Sequence, residues 1–130
     1  MIVTFIDMED DTNPLNRKVL LTGGSMRQIL CSLQEREPFC CELTGEDGSQ
    51  LTLGVGAIGF AEYSRGGDAP YFFAVTTVTV IEGTEEDFLC GGTPTPVAAR
   101  FCLPFDDVIK IAVYFMETGE PSPSFSWEMI

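Results

Sequence analysis

The sequence predicts an α+β domain, a mainly antiparallel sheet of about five or six strands packed with two helices. Three observations carry that expectation. Two segments repeat apolar residues at helical spacing, several short runs between them are rich in β-branched and aromatic residues, and turn-forming clusters separate those runs. The 130 residues match the size of one domain, which at this length buries roughly two thirds of its unfolded surface. No repeat, linker or low-complexity stretch divides residues 1–130.

The opening "IVTFID" reads as a strand with Val3 and Phe5 on one face, ended by the polar run from Glu9 to Asn13 ahead of Pro14. In "SMRQILCSLQER", Ser25 is the expected N-cap after Gly23-Gly24, Met26, Ile29, Leu30 and Leu33 form the apolar stripe, and Glu37-Pro38 marks the stop. "FCCEL", "SQLTLGVG", "IGFAEYS" and "YFFAVTTVTVI" follow as antiparallel strands, with turns at Thr44-Gly45-Glu46-Asp47-Gly48 and Arg65-Gly66-Gly67-Asp68. Both faces of the longest contain apolar residues, so a central position is expected for it. "EGTEEDFLCGGTPTP" breaks the alternation and reads as a long surface loop. A last strand, "VAARFCL", leads into a second helix beginning near Pro104. Asp106 and Asp107 lie at its positive end, Phe105, Val108, Ile109, Ala112, Phe115 and Met116 form its stripe, and Gly119 ends it.

Beyond that helix, Pro121 and Pro123 forbid further helix, and the only tryptophan, Trp127, comes three residues before the final Ile130. A large aromatic on a frayed end would be an exposed apolar liability. The tail is therefore expected to dock, with Trp127 as a structural anchor in a pocket between helix and sheet.

Twenty acidic residues against seven basic ones give a net charge of −13. Such a surface repels nucleic acid and anionic membranes and steers a basic protein partner inward. The alternative, that acidity only keeps the domain soluble, stays open on charge alone. "MIVTFIDMEDD" has neither a basic leader nor a sustained apolar core, and no segment reaches the ~20 apolar residues of a membrane span, so the expected location is cytoplasmic. Cys31, Cys40, Cys41, Cys90 and Cys102 are odd in number and lack C-x-x-C spacing, which fits buried thiols better than a disulfide framework or a zinc site. Cys40 and Cys41, adjacent in a strand, should point to opposite faces.

Histidine is absent, which removes the commonest general base and transition-metal ligand and excludes serine–histidine and cysteine–histidine nucleophile pairs. The glycines of "LGVGAIGF" lack the strand-to-helix context of a dinucleotide loop. Asp106-Asp107 and Glu85-Glu86-Asp87 match no calcium loop. No catalytic residue, cofactor or metal is expected. The candidate contact residues are Glu62, Tyr63, Asp68 and Tyr71 around the Arg65–Asp68 turn, and Glu82, Glu85, Glu86, Asp87 and Phe88 in the acidic segment. Sheet packing accounts equally well for the two tyrosines.

"RFCLPFDDVIKIAVYFMETGEPSPSFSWEMI" resembles the ending of a family of bacterial immunity proteins, many paired with deaminase toxins of polymorphic and contact-dependent systems. The corresponding features are Leu103-Pro104 before the helix, Phe115-Met116-Glu117-Thr118-Gly119 at its end, Pro121-Ser122-Pro123, and Trp127-Glu128. "LTLGVGAIGFAEYS" is similar to that family's central hairpin, so the resemblance spans roughly residues 50–130. Pro123 and the threonine-proline segment depart from the pattern. The resemblance implies a cytoplasmic antidote, not an enzyme, that binds the C-terminal domain of one cognate toxin and covers its active site. That partner is expected to be basic and to act on nucleic acid, as a deaminase does. The competing readings are a small ligand-binding or enzymatic α+β domain using a pocket among the ten phenylalanines, and a self-associating subunit such as a homodimer.

Overall fold

A computed structural model describes residues 1–20 and 22–130. The elements in chain order are β1 (Val3–Asp7), β2 (Val19–Leu20), α1 (Gly23–Leu33), β3 (Phe39–Gly45), β4 (Gln50–Val55), β5 (Ile58–Ser64) and β6 (Phe72–Val75). They continue with β7 (Glu85–Cys90), β8 (Thr93–Ala98), a 3₁₀ turn (Ala99–Phe101), β9 (Leu103–Pro104), α2 (Phe105–Thr118) and β10 (Ser126–Met129). The main sheet runs β10-β6-β5-β4-β3-β1-β2, with β7 joined to β3 and β8, and β9 joined to β5. The α+β class and the two helices are as expected. The sheet is larger than expected and mixed, because β7 meets β3 in parallel at Phe39 and Leu89 while the other pairings are antiparallel.

Period-two alternation sorts the sheet into two faces. Val3 and Phe5, Cys41 and Leu43, Leu51 and Leu53, and Ala61 and Tyr63 point to the helices and form the main core with Met26, Leu30 and the expected stripe of α2. Gly119 closes α2 in the left-handed region at φ 72°, its N–H donating to the Phe115 carbonyl at 2.7 Å. Cys41 lies in this core and Cys40 in a second cluster on the other side, so the two do face apart.

Four local expectations are corrected. The N-cap of α1 is Thr22, whose hydroxyl accepts from the Ser25 N–H at 3.1 Å, so Ser25 lies one turn inside the helix. The acidic segment is no loop: β7 and β8 form a hairpin around Gly91 and Gly92, both at positive φ. Pro94 and Pro96 are tolerated because β8 pairs with β7 alone, leaving alternate positions where a missing N–H removes no ladder bond. The strand expected across residues 71–81 stops at Val75, where the Thr76 N–H turns to the Arg100 carbonyl at 2.8 Å. "VAARFCL" is split among the end of β8, the 3₁₀ turn and β9.

The cysteine reading is corrected as well. Cys40 and Cys90 form a disulfide across 50 residues, their Cα atoms 5.1 Å apart, leaving Cys31, Cys41 and Cys102 as thiols. The carboxyl tail docks as β10 on β6, with Trp127 opposite Ala74. The Trp127 indole donates to the Ser122 carbonyl at 2.8 Å and meets the Tyr63 ring edge-on at 6.4 Å. It is half-buried against the main core and fills no closed pocket. No helix among the described residues is long and apolar enough to cross a membrane.

Candidate partner-binding site

The sheet face turned away from the helices carries polar and aromatic side chains in aligned rows. One row crosses five strands as Glu42 on β3, Thr52 on β4, Glu62 on β5, Phe73 on β6 and Glu128 on β10. With neighbouring strands ~4.8 Å apart, the carboxylate-bearing positions recur about every 10 Å along the row. The alternation in "IGFAEYS" places Phe60 on this same face, one pleat from Glu62.

The β7–β8 hairpin folds over one end of this face. Phe88 meets the edge of Phe60 with centroids 4.9 Å apart, Phe73 stacks on Phe101 at 4.7 Å, and Cys40 and Val97 complete the cluster. Gly54 permits this packing, because a Cβ there would overlap the Phe60 ring and approach Phe88 to 2.8 Å. The Leu89 N–H donates to the Pro38 carbonyl and the Gly91 N–H to the Met8 carbonyl, holding the hairpin beside the ends of β3 and β1. Between β8 and the sheet lies a cleft of about 410 Å³, walled by Phe60, Phe73, Val97 and Phe101 and by the Cys40–Cys90 bridge, with Thr52 and Glu62 on its floor.

The carboxylates around this face are not equivalent. Asp7, buried at the end of β1, is pushed up by desolvation. Hydrogen bonds from Arg36, Asn13 and the Asp10 and Glu9 amides outweigh that effect and hold its pKa below the usual aspartate value. Glu128 pairs with Arg100 at 3.0 Å. Glu62 has no hydrogen-bond or ion-pair partner among the described residues. Burial alone acts on it, raising its pKa above the usual glutamate value.

Beside the cleft, the segment from Thr76 to Thr84 exposes Val78 (59%) and Ile81 (78%), more than isolated surface apolar residues need. With Ile58, Val80, Leu103 and Pro104 it borders a second hollow of about 360 Å³, into whose rim Glu86 projects. The Cys102 thiol in that hollow is pushed up to about 11 by burial, with a further contribution from Glu86. Desolvation also raises Cys41 strongly. Neither sulfur is a thiolate at neutral pH, so neither is primed as a nucleophile. The arrangement is suited to binding a cationic, partly apolar surface.

The expected contact residues are distributed unevenly. Glu62 lies on the cleft floor, and Glu82, Glu85, Glu86 and Asp87 are exposed along the hairpin and the segment before it. Asp68 is exposed and Tyr71 half-buried at the other end of β5 and β6, away from the hairpin. Tyr63 faces the helices, is buried, and donates its hydroxyl to the Gly119 carbonyl at 2.8 Å. Phe88 is buried beneath the hairpin. Neither Tyr63 nor Phe88 offers a surface to a partner. Phe60, Phe73, Phe101, Glu42 and Glu128 belong to the face and were not singled out from the sequence. Same-side placement of Phe60 and Glu62 is readable from alternation, but their neighbours depend on strand order and on the fold-over of the hairpin.

No protein-family model matches this chain, and a comparison with curated proteins returns no significant match.

Proposed function

We propose that this protein is an immunity protein, an antidote that binds and occludes the basic C-terminal domain of a cognate bacterial toxin acting on nucleic acid, such as a deaminase. The observation that supports this reading best is the aromatic-walled cleft with an uncompensated carboxylate on its floor, flanked by the exposed acidic strand β7, in a chain of net charge −13. A toxin that attracts phosphates carries a positive field, and an acidic surface competes for that same field. Inhibition then requires coverage and no bond chemistry. The antidote acts in the cytoplasm, where the toxin's target lies. In a reducing compartment the Cys40–Cys90 bond is open to reduction, and the packing of Phe60, Phe88, Val97 and Phe101 is then what remains to hold the hairpin.

The test is co-expression with the C-terminal domain encoded immediately beside this chain, followed by affinity measurement at low and high salt. A nanomolar complex that weakens steeply with salt and abolishes the neighbour's toxicity is the expected result. A neighbouring domain that stays toxic and unbound overturns the proposal. A small-ligand reading then gains ground, because a cleft of about 410 Å³ is large enough for one.

A further inference from the structure

Two carboxylates of this protein are satisfied in the same manner. Asp7 accepts from Arg36, whose guanidinium lies 3.9 Å from the centroid of the Phe39 ring. Glu128 pairs with Arg100, whose guanidinium lies 4.6 Å from the centroid of the Phe101 ring. Each is a carboxylate, an arginine and a phenylalanine face, an arrangement in which a planar, weakly hydrated cation meets an anion on one side and a π-system on the other.

Glu62 has two of these three parts. Phe73 stands cross-strand from it, Phe60 lies on the same face of its own strand, and both rings wall the cleft. Its cation is missing: among the described residues no arginine or lysine lines the cleft, and Arg100, next to the lining residue Phe101, is engaged by Glu128. We infer that the cleft between β8 and the sheet seats an arginine side chain of the partner, with Glu62 as counter-ion and the adjoining rings of Phe60 and Phe73, centroids 5.8 Å apart, as one aromatic wall. Arginine fits better than lysine because a flat guanidinium stacks on a ring while donating to a carboxylate, whereas an ammonium is a strongly hydrated point charge. A half-buried carboxylate without a partner is unfavourable in the free protein, and entry of the cation removes that penalty on binding. Specificity follows from the same geometry, since a neutral isostere leaves the carboxylate desolvated and unpaired.

This inference rests on the reading of the chain as a binder of a basic protein, but its test needs no toxin. Side-chain and ring resonances of Glu62, Phe60 and Phe73 are followed by NMR during titration with Nα-acetyl-arginine methylamide, its uncharged citrulline counterpart and the lysine analogue. The charged groups facing Glu62 are Glu42 and Glu128 in its row and Arg100 beyond Phe73, so pH is held at 7 throughout. Saturable shifts at these three residues with the arginine derivative, at least tenfold weaker with citrulline and reduced at least tenfold by Glu62→Gln but not by Glu35→Gln, an exposed glutamate after α1 that does not line the cleft, are the expected result. Equal responses to arginine and citrulline, or shifts that map away from the cleft, overturn the inference. Failure here leaves the toxin-neutralisation test unaffected. A failed toxin complex alongside arginine-selective shifts would instead retain the cleft and discard the toxin.

Discussion

Phe73 stands directly across from Glu62 and its ring stacks on Phe101, so the carboxylate shares its cleft with an aromatic wall and the covering hairpin. Burial raises its pKa. The folded state therefore holds the proton more tightly than the unfolded chain does. The sign is definite: stability is lost as pH rises from the unfolded glutamate value through the higher folded one. Glu62→Gln should then raise the melting temperature at pH 7 by about 2–4 °C, an effect on the order of 0.5–1 kcal/mol. The gain should shrink below pH 4. Arg100, Glu128 and Glu42 are unchanged by this substitution, so thermal melts at the two pH values isolate Glu62. A variant less stable than the parent at pH 7 would contradict the picture.

Asp7 is the opposite case. Its folded pKa is lowered, so its contribution to stability is present above the unfolded aspartate value and is lost as pH falls through the folded one. Its carboxylate gathers Arg36, Asn13 and two backbone amides, and Arg36 joins it to the segment after α1. Asp7→Asn keeps one acceptor but removes the charge. We expect a cost of about 2–3 kcal/mol at pH 7, by urea denaturation, shrinking as the pH is lowered below the usual aspartate range. An equal difference at pH 7 and pH 2.5 would assign the effect to shape instead of charge.

These two carboxylates also mark how much was legible in the sequence. Local patterns identified α2, its buried stripe apart from Ile111, and its Gly119 cap, because helical periodicity and a left-handed terminus are written within a few residues. They also separated Cys40 from Cys41 by face. The hairpin escaped because Glu85, Glu86 and Asp87 are poor strand formers and Pro94 and Pro96 mimic a loop. What gives that segment a surface to pair over is tertiary: Phe88 meets Phe60, 28 positions earlier, and Leu89 pairs with Phe39 on β3. The Cys40–Cys90 bond escaped for the same reason. Glu62 could be placed on a face, but that no arginine or lysine among the described residues lines its cleft is a tertiary fact.

The tail can be tested through Trp127. Its ring is half-buried, packs edge-on to Tyr63, and donates one hydrogen bond to Ser122. Trp127→Ala should cost about 2–3 kcal/mol, below the 3–5 kcal/mol of a fully buried aromatic. Trp127→Phe should retain about half of the lost stability. Far-UV circular dichroism in urea measures both, and an unchanged midpoint for the alanine variant would remove the anchor role and free the indole as a contact candidate.

Gly54 tests whether the hairpin rests on the sheet as described. A methyl group at this position collides with the Phe60 ring and crowds Phe88, and both rings belong to the second cluster. Gly54→Ala should cost about 1–3 kcal/mol through displacement of these rings. It should also broaden the ring resonances of Phe60 and Phe88 while those of Phe115, on the helix side, stay sharp. Equal disturbance on both sides of the sheet would indicate a general strand defect.

Cys40 and Cys90 test the hairpin by a covalent route. Their bond closes a loop of 50 residues, and restriction of the unfolded chain by such a loop contributes about 4 kcal/mol. The main core on the helix side includes neither cysteine. Reduction should therefore lower overall stability by about that amount while loosening the structure locally. Amides of residues 85–98 should lose hydrogen-exchange protection first, and those of β4 and β5 should keep theirs. The Cys40→Ser/Cys90→Ser variant should reproduce the exchange pattern without added reductant. If the cleft is formed by the hairpin's position, the same treatment should weaken the arginine derivative at Glu62, and the second cluster should limit that loss to less than the effect of Glu62→Gln. Unchanged protection over residues 85–98 after complete reduction would mean that Phe60, Phe88 and Phe101 hold the hairpin without the bond.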